Sequence, residues 1–346
     1  MRYNYLWIVL GILAIIGLLP ALVSLEQTQQ IADDTPVAEV LRQLGQVPPD
    51  HLPNTDIEGV SAEVGRQLVL QGIAHKPEGG STKRQSKHFV CTSCHNVVKE
   101  DPKLTVADPA ARLQYAETHD LPFLPGTTLY GVVNRSSYYN GDYSKKYGDL
   151  VRPARKNLRA AIALCATECA QGRELEDWEM ESILAYLWQI DLKMSDLNLP
   201  EEEIRQLERA IQSGSQGDQT DARELLQSAY LSYSPATFVP PPPNREIGYE
   251  GVEGDPANGR IIYERSCLHC HGQQRYSFFN LDHSAYSFDF LRKHFPRYTR
   301  YSTYQVVRYG TSPLNGKKAY MPHYTLERMS NQQLEDLRAY VEQQAQ

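Results

Sequence analysis

Residues 5–25 form an almost unbroken apolar run after Arg2. At about 1.5 Å rise per residue the run spans about 30 Å as a helix, the thickness of a bilayer core. It predicts a signal anchor over residues 1–26, with the N-terminus in the cytoplasm and the body exported. A cleavable signal peptide is the alternative, but no A-x-A pattern follows the run. The chain then turns polar, and Pro48, Pro49 and Pro53 interrupt any helix, so residues 27–56 read as a tether. Helical spacing of apolar positions returns twice. Trp178, Ile183, Leu184 and Leu187 share one face of a helix over residues 175–188, and Leu334, Leu337 and Val341 share another near the C-terminus. Between them come an acidic helical start at 201–210, a Gly/Ser/Gln stretch at 213–219 and four consecutive prolines at 240–243, which favour a stiff polyproline II spacer. The pattern predicts an all-α chain with helical domains at 57–197 and 247–346, joined by a helical and proline-rich linker at 198–246.

The chemistry sits in two short motifs, Cys91-Thr92-Ser93-Cys94-His95 and Cys267-Leu268-His269-Cys270-His271. In each, thiols three positions apart can form thioether bonds to the vinyl groups of one haem, and the next imidazole can ligate its iron. Zinc would draw both pairs into one four-thiolate site or add two spaced histidines, whereas about 170 residues separate these pairs and each has its own following His. A redox dithiol needs no histidine directly after its second cysteine. The reading is therefore two covalent c-type haems, held by Cys91, Cys94, Cys267 and Cys270, with His95 and His271 as axial ligands. Such attachment takes place outside the cytoplasmic membrane, in agreement with an exported, membrane-anchored protein on the periplasmic or extracytoplasmic side.

The second domain resembles class I cytochromes c along its whole length. Asn258-Gly259-Arg260-Ile261-Ile262-Tyr263 begins a helix delivering the motif, and Gly272 directly follows it. Fifty residues after His271 comes Tyr320-Met321-Pro322, whose methionine is assigned as the opposite iron ligand. The same template predicts a class I cytochrome c domain at 57–197. Aligning Ala185-Tyr186 with Ala339-Tyr340 gives an offset of 154, which puts Thr167, between Cys165 and Cys169, where Met321 would fall. Met180 and Met194 read as packing residues. A thiolate is a strong ferric donor, so Cys165 is the candidate sixth ligand. The alternative is a Cys165–Cys169 disulfide, with His88 or His119 in the ligand position.

Gly65-Arg66-Gln67-Leu68, Ile162-Ala163-Leu164-Cys165, Gly172, Leu175 and Ala185-Tyr186 resemble the N-terminal domain of thiosulfate dehydrogenases. That resemblance implies a dihaem periplasmic enzyme whose active-site iron is ligated by a cysteine, at the position of Cys165. The arginines usual four residues before and three after that cysteine are here Ala161 and Glu168, and a glutamate repels an anionic substrate. Arg159 and Arg173 are the nearest substitutes. Pro122 and Pro125 are both candidates for the carbonyl that accepts the His95 ring N–H.

The composition changes the picture in one respect. With 346 residues, 22 tyrosines and a formal net charge of −7, the chain is not a general nucleic-acid binder. The basic and aromatic stretch at 292–308, with Arg297, Arg300, Tyr298, Tyr301 and Tyr304, reads as haem surroundings, the arginines meeting propionates or solvent. The functional reading is a membrane-anchored dihaem cytochrome c carrying electrons between a redox protein donor and acceptor of a respiratory chain, more a carrier than a catalyst. The anchor permits membership of a larger respiratory complex without requiring it. The alternative is a thiosulfate dehydrogenase-like enzyme acting on a small sulfur compound at a His/Cys-ligated haem.

Overall fold

The computed structural model describes residues 30–311 and 320–345. Within them the regular elements are helices, accompanied by three isolated β-bridges and no strand. No helix among the described residues is long and apolar enough to cross a membrane. The predicted anchor, residues 1–26, lies outside the described residues.

In chain order the main helices are α1 (Val37–Gln43), α2 (Ala62–Gln71), α3 (Pro109–Thr118), α4 (Leu158–Leu164), α5 (Asp177–Gln189), α6 (Glu201–Ser213), α7 (Gln216–Ser228), α8 (Pro256–Ile262), α9 (Ala285–His294), α10 (Thr303–Tyr309) and α11 (Asn331–Gln344). Their starts are written locally. Ser61, Asp108, Asn157, Asp255, Ser284, Ser302 and Ser330 each accept a hydrogen bond from a backbone N–H of the following first turn. Pro109 and Pro256 occupy first helical positions, where a missing N–H costs nothing.

One helix crossing organises each half. In the first, α2 packs on α5 over a core containing Leu68, Val69, Ile183, Leu184 and Leu187. In the second, α8 packs on α11 over Ile262, Tyr263, Leu334, Leu337 and Val341. The contact is backbone to backbone: a Cβ on Gly65 would stand 1.8 Å from the Ser182 carbonyl oxygen, and one on Gly259 2.0 Å from that of Asp336. Ser182 and Asp336 are 154 positions apart, the same offset that aligned the two closing helices from sequence.

The halves are not strung apart. Leu113 and Ala116 of α3, with Phe123, belong to the same buried cluster as the second-half core. The Phe123 N–H donates to the Arg265 carbonyl at 2.9 Å, the Tyr324 hydroxyl donates to the Phe123 carbonyl at 3.1 Å, and the Gln333 amide donates to the Pro109 carbonyl at 2.6 Å. The linker and the expected tether also fold: Leu207, Ala210, Ala222 and Leu226 of the α6–α7 hairpin close a third core with Val37, Val40 and Leu41 of α1 and with Met194. The sequence expectation failed there because α1 is only seven residues long, too short to show a period among flanking prolines.

A buried ionic cluster sits at the junction. Arg328 pairs with Glu100 at 2.8 Å and Arg112 lies 4.0 Å from it, all three essentially out of solvent. Burial raises the Glu100 carboxyl, but Arg328 and Arg112 outweigh it and hold it at about 2. A carboxylate depressed from its ordinary 4.5 stabilises the fold above that pH, and the contribution disappears as pH falls toward 2. The stability difference between wild type and Glu100→Gln, measured by urea unfolding, is therefore expected to shrink from pH 5 to pH 2; a pH-independent difference would remove the ion pair from the account.

Candidate functional site

The second site is built on a helix that changes pitch. After α8 the backbone makes a π-turn over Tyr263–Cys267 and a short helix over Leu268–His271, which sets Cys267, Cys270 and His271 on one cavity wall. A π-turn inserts a residue into the helical ladder and often marks a working site. The His271 ring Nδ1 is 2.9 Å from the Phe279 carbonyl, and burial lowers its pKa, so the ring is a neutral donor at Nδ1 with a free lone pair at Nε2. Met321 lines the same cavity; its N–H donates to the Thr311 hydroxyl at 2.8 Å and its carbonyl accepts from the Thr311 N–H at 3.0 Å. The cavity measures ≈ 630 Å³ and is lined mainly by apolar and aromatic side chains, among them Phe279, Leu281, Phe290, Phe295 and Val307. These residues fit a haem: paired thiols, an oriented imidazole, a thioether and an apolar slot.

The first site repeats the plan with different parts. Cys91–Ser93 is a single 3-10 turn, stopped by Cys94, and it presents His95. His95 Nδ1 is 2.6 Å from the Thr127 carbonyl, and burial lowers this ring's pKa also. The orienting carbonyl is thus that of Thr127 rather than Pro122 or Pro125; the Pro122 carbonyl instead accepts from the Asn96 amide at 3.1 Å. Gly126 is required beside it, since a Cβ there would stand 2.5 Å from the His95 ring. Sequence reasoning found the loop but not the acceptor, because a carbonyl carries no side-chain signature.

α4 runs into a second π-turn, Cys165–Cys169. No disulfide joins any of the six cysteines. The hydrogen bond with Cys169 and burial raise the Cys165 thiol above its ordinary range. Cys169 lies 3.7 Å from the Tyr147 hydroxyl and 3.9 Å from that of Tyr139. Its hydrogen bond with Cys165 lowers its pKa despite burial, and the two phenols add to the effect. His88 and His119 are elsewhere: His119 stacks on Tyr115 at the surface and His88 stands beside Phe89. The long insertion between α2 and Cys91 braces the turn. The Gln85 amide donates to the Arg173 carbonyl at 2.8 Å and the Ser86 hydroxyl to the Ala170 carbonyl at 2.5 Å. Arg159 and Arg173, the expected cationic substitutes, are tied to Glu181 at 2.7 Å and Glu179 at 2.5 Å. The cation near the thiols is instead Lys146, brought to about 8 by burial and seated over the Tyr147 and Tyr320 rings.

The two sites meet. Cys270 Sγ is 3.9 Å from the carbonyl of Ser93, the residue before Cys94. Phe89 lines the second cavity and packs edge-on against Tyr320 at 5.9 Å between ring centroids, next to Met321. Among the described residues no group of three or more His, Cys, Asp and Glu has the arrangement of a metal site.

The family described as cytochrome C oxidase, cbb3-type, subunit III matches residues 254–341. No match was found among curated proteins or among solved structures. Residues 254–341 are a cytochrome c domain, which carries covalently bound c-type haem with its iron and makes the chain an electron-carrying haem protein.

Proposed function

We propose that this chain is a dihaem electron carrier, with one haem held by Cys91, Cys94 and His95 and completed by Cys165, and a second held by Cys267, Cys270 and His271 and completed by Met321. Haem iron supplies reversible one-electron chemistry. The observation that carries the reading is the matched geometry of the two motifs. Each imidazole gives its Nδ1 proton to a backbone carbonyl, and Cys270 of one motif lies 3.9 Å from the Ser93 carbonyl of the other. Thiolate favours ferric and thioether ferrous iron, so electrons run downhill from the first site to the second. The apolar run at 1–26 supports anchoring in a membrane, with both haem domains on the extracytoplasmic side and redox proteins of a respiratory chain as donor and acceptor.

The test is mass spectrometry of the exported protein. Two haem masses are expected in the wild type and one in Cys91→Ala/Cys94→Ala; one haem in the wild type overturns the dihaem reading. EPR of the oxidised protein should contain a low-spin signal of narrow g spread that Cys165→Ala abolishes. Two His/Met signals would remove Cys165 from the iron.

A second reading, an enzyme acting on a small sulfur compound at the first haem, is favoured by the cation Lys146, which helps lower the Cys169 thiol and sits over the Tyr320 ring. Turnover of thiosulfate or tetrathionate that is lost in Cys165→Ala would establish it over the carrier.

A further inference from the structure

We propose that Cys165 and Cys169 form a reversible dithiol–disulfide couple, and that closing the disulfide withdraws Cys165 from iron. The couple itself needs no haem; only its consequence rests on the reading that Cys165 completes the first haem. That reading employs the four motif cysteines in attachment and Cys165 in ligation, which leaves Cys169 without a role.

The two thiols hydrogen-bond each other inside one π-turn, which the Ala170 N–H closes by donating to the Cys165 carbonyl at 2.7 Å. Their approach is set from outside the turn. The Ala166 carbonyl accepts from the Gly172 N–H at 2.9 Å and from the Gln85 amide at 3.3 Å, and the Arg173 N–H donates to the Gln85 carbonyl at 2.9 Å. With the Ser86 hydroxyl on the Ala170 carbonyl, residues 85–86 hold the backbone on both sides of Cys169. A Cβ at Gly172 would collide with the Gln85 carbonyl oxygen. Gln171 takes a φ of 51°, left-handed for a residue with a side chain, and both its amide atoms are buried without a partner among the described residues. Backbone strain of this kind persists where the surroundings over-determine the conformation, and it gathers at working sites. A purely structural role for the bond fails on size. Linking Cys165 to Cys169 closes a loop of 5 residues, which removes little entropy from the unfolded chain. Such a bond adds little to stability, and its value lies in being made and broken.

Forming the bond releases two electrons, and the acceptor is a disulfide of an oxidising partner. The Cys165 and Cys169 sulfurs join, the partner's S–S bond breaks, and its two sulfurs receive the electrons. With Cys165 on iron as thiolate, Cys165 leaves the iron in the same exchange. The Cys169 proton goes to one partner sulfur, the other departs as thiolate, and the iron stays ferric.

The test treats the ferric, haem-loaded protein with oxidised glutathione and, in parallel, with the smaller oxidant diamide. Samples are quenched in acid, unfolded, alkylated with N-ethylmaleimide and mapped by mass spectrometry. Two adducts, on Cys165 and Cys169, are expected before oxidation and none after it, with dithiothreitol restoring both. Two adducts after both oxidants, or a glutathione mixed disulfide that persists on either cysteine, overturns the couple. The low-spin EPR signal of narrow g spread should vanish with the adducts in the wild type and persist under the same oxidants in Cys169→Ser. Its loss in oxidised Cys169→Ser also overturns the proposal, because Cys165 would then leave the iron without its partner. A wild type that never shows the signal yet loses both adducts keeps the couple and removes Cys165 from the iron, so the two failures read separately.

Discussion

Arg328→Met is expected to lower folding stability by about 3–5 kcal/mol, because it leaves a buried carboxylate short of its nearest cation. Glu100 is 1% exposed and accepts from the Asn96 amide at 2.8 Å and from the Thr128 N–H at 2.8 Å. After the substitution its nearest remaining cation is Arg112, 4.0 Å away, with buried Arg135 also acting on it. The guanidinium of Arg328 also donates to the Leu124 carbonyl at 3.0 Å, which ties the second half to the loop that presents Thr127 to His95. The damage therefore reaches the surroundings of His95 from a residue of the other half. Urea unfolding followed by far-UV circular dichroism checks the magnitude, and a loss under about 1 kcal/mol would show the pair to be dispensable. The double variant Glu100→Gln/Arg328→Met should recover most of the loss, because removing both charges removes the desolvation penalty that a single removal exposes.

Gly259→Ala is expected to destabilise the second half by about 2–3 kcal/mol, at the upper end of what overpacking costs. In an isolated helix the same change would help by about 1 kcal/mol. Here the new methyl would meet the Asp336 carbonyl oxygen at 2.0 Å, and backbone cannot turn aside as a side-chain tip can. The α8–α11 crossing must widen, which loosens the Leu334, Leu337 and Val341 side chains against Ile262. Thermal unfolding monitored at the Soret band would report it, and an unchanged or raised Tm would mean that the helices separate at little cost. Gly65→Ala should behave alike in the first half, where the clash is with Ser182 at 1.8 Å.

Some features were legible because their chemistry requires neighbours in sequence. Thioether attachment needs two thiols three positions apart and an imidazole next to them, so the Cys91–His95 and Cys267–His271 motifs could be recognised without a fold. The closing helices were legible because burial against one partner imposes a helical period on Ile183, Leu184 and Leu187 and on Leu334, Leu337 and Val341. The glycine crossings were not, since a missing side chain leaves no period.

What sequence alone determined is therefore the all-helical character of the chain and the two CxxCH motifs, each fixed by local covalent or periodic requirements. The tertiary structure decided the rest: that Thr127 and Phe279 supply the carbonyls for His95 and His271, that Gln85 and Ser86 brace the cysteine turn, and that Ser93 and Cys270 bring the motifs together. These are contacts between backbone groups or between residues as far as 177 positions apart. Their partners are chosen by how the cores pack, and no pattern along the chain records that choice.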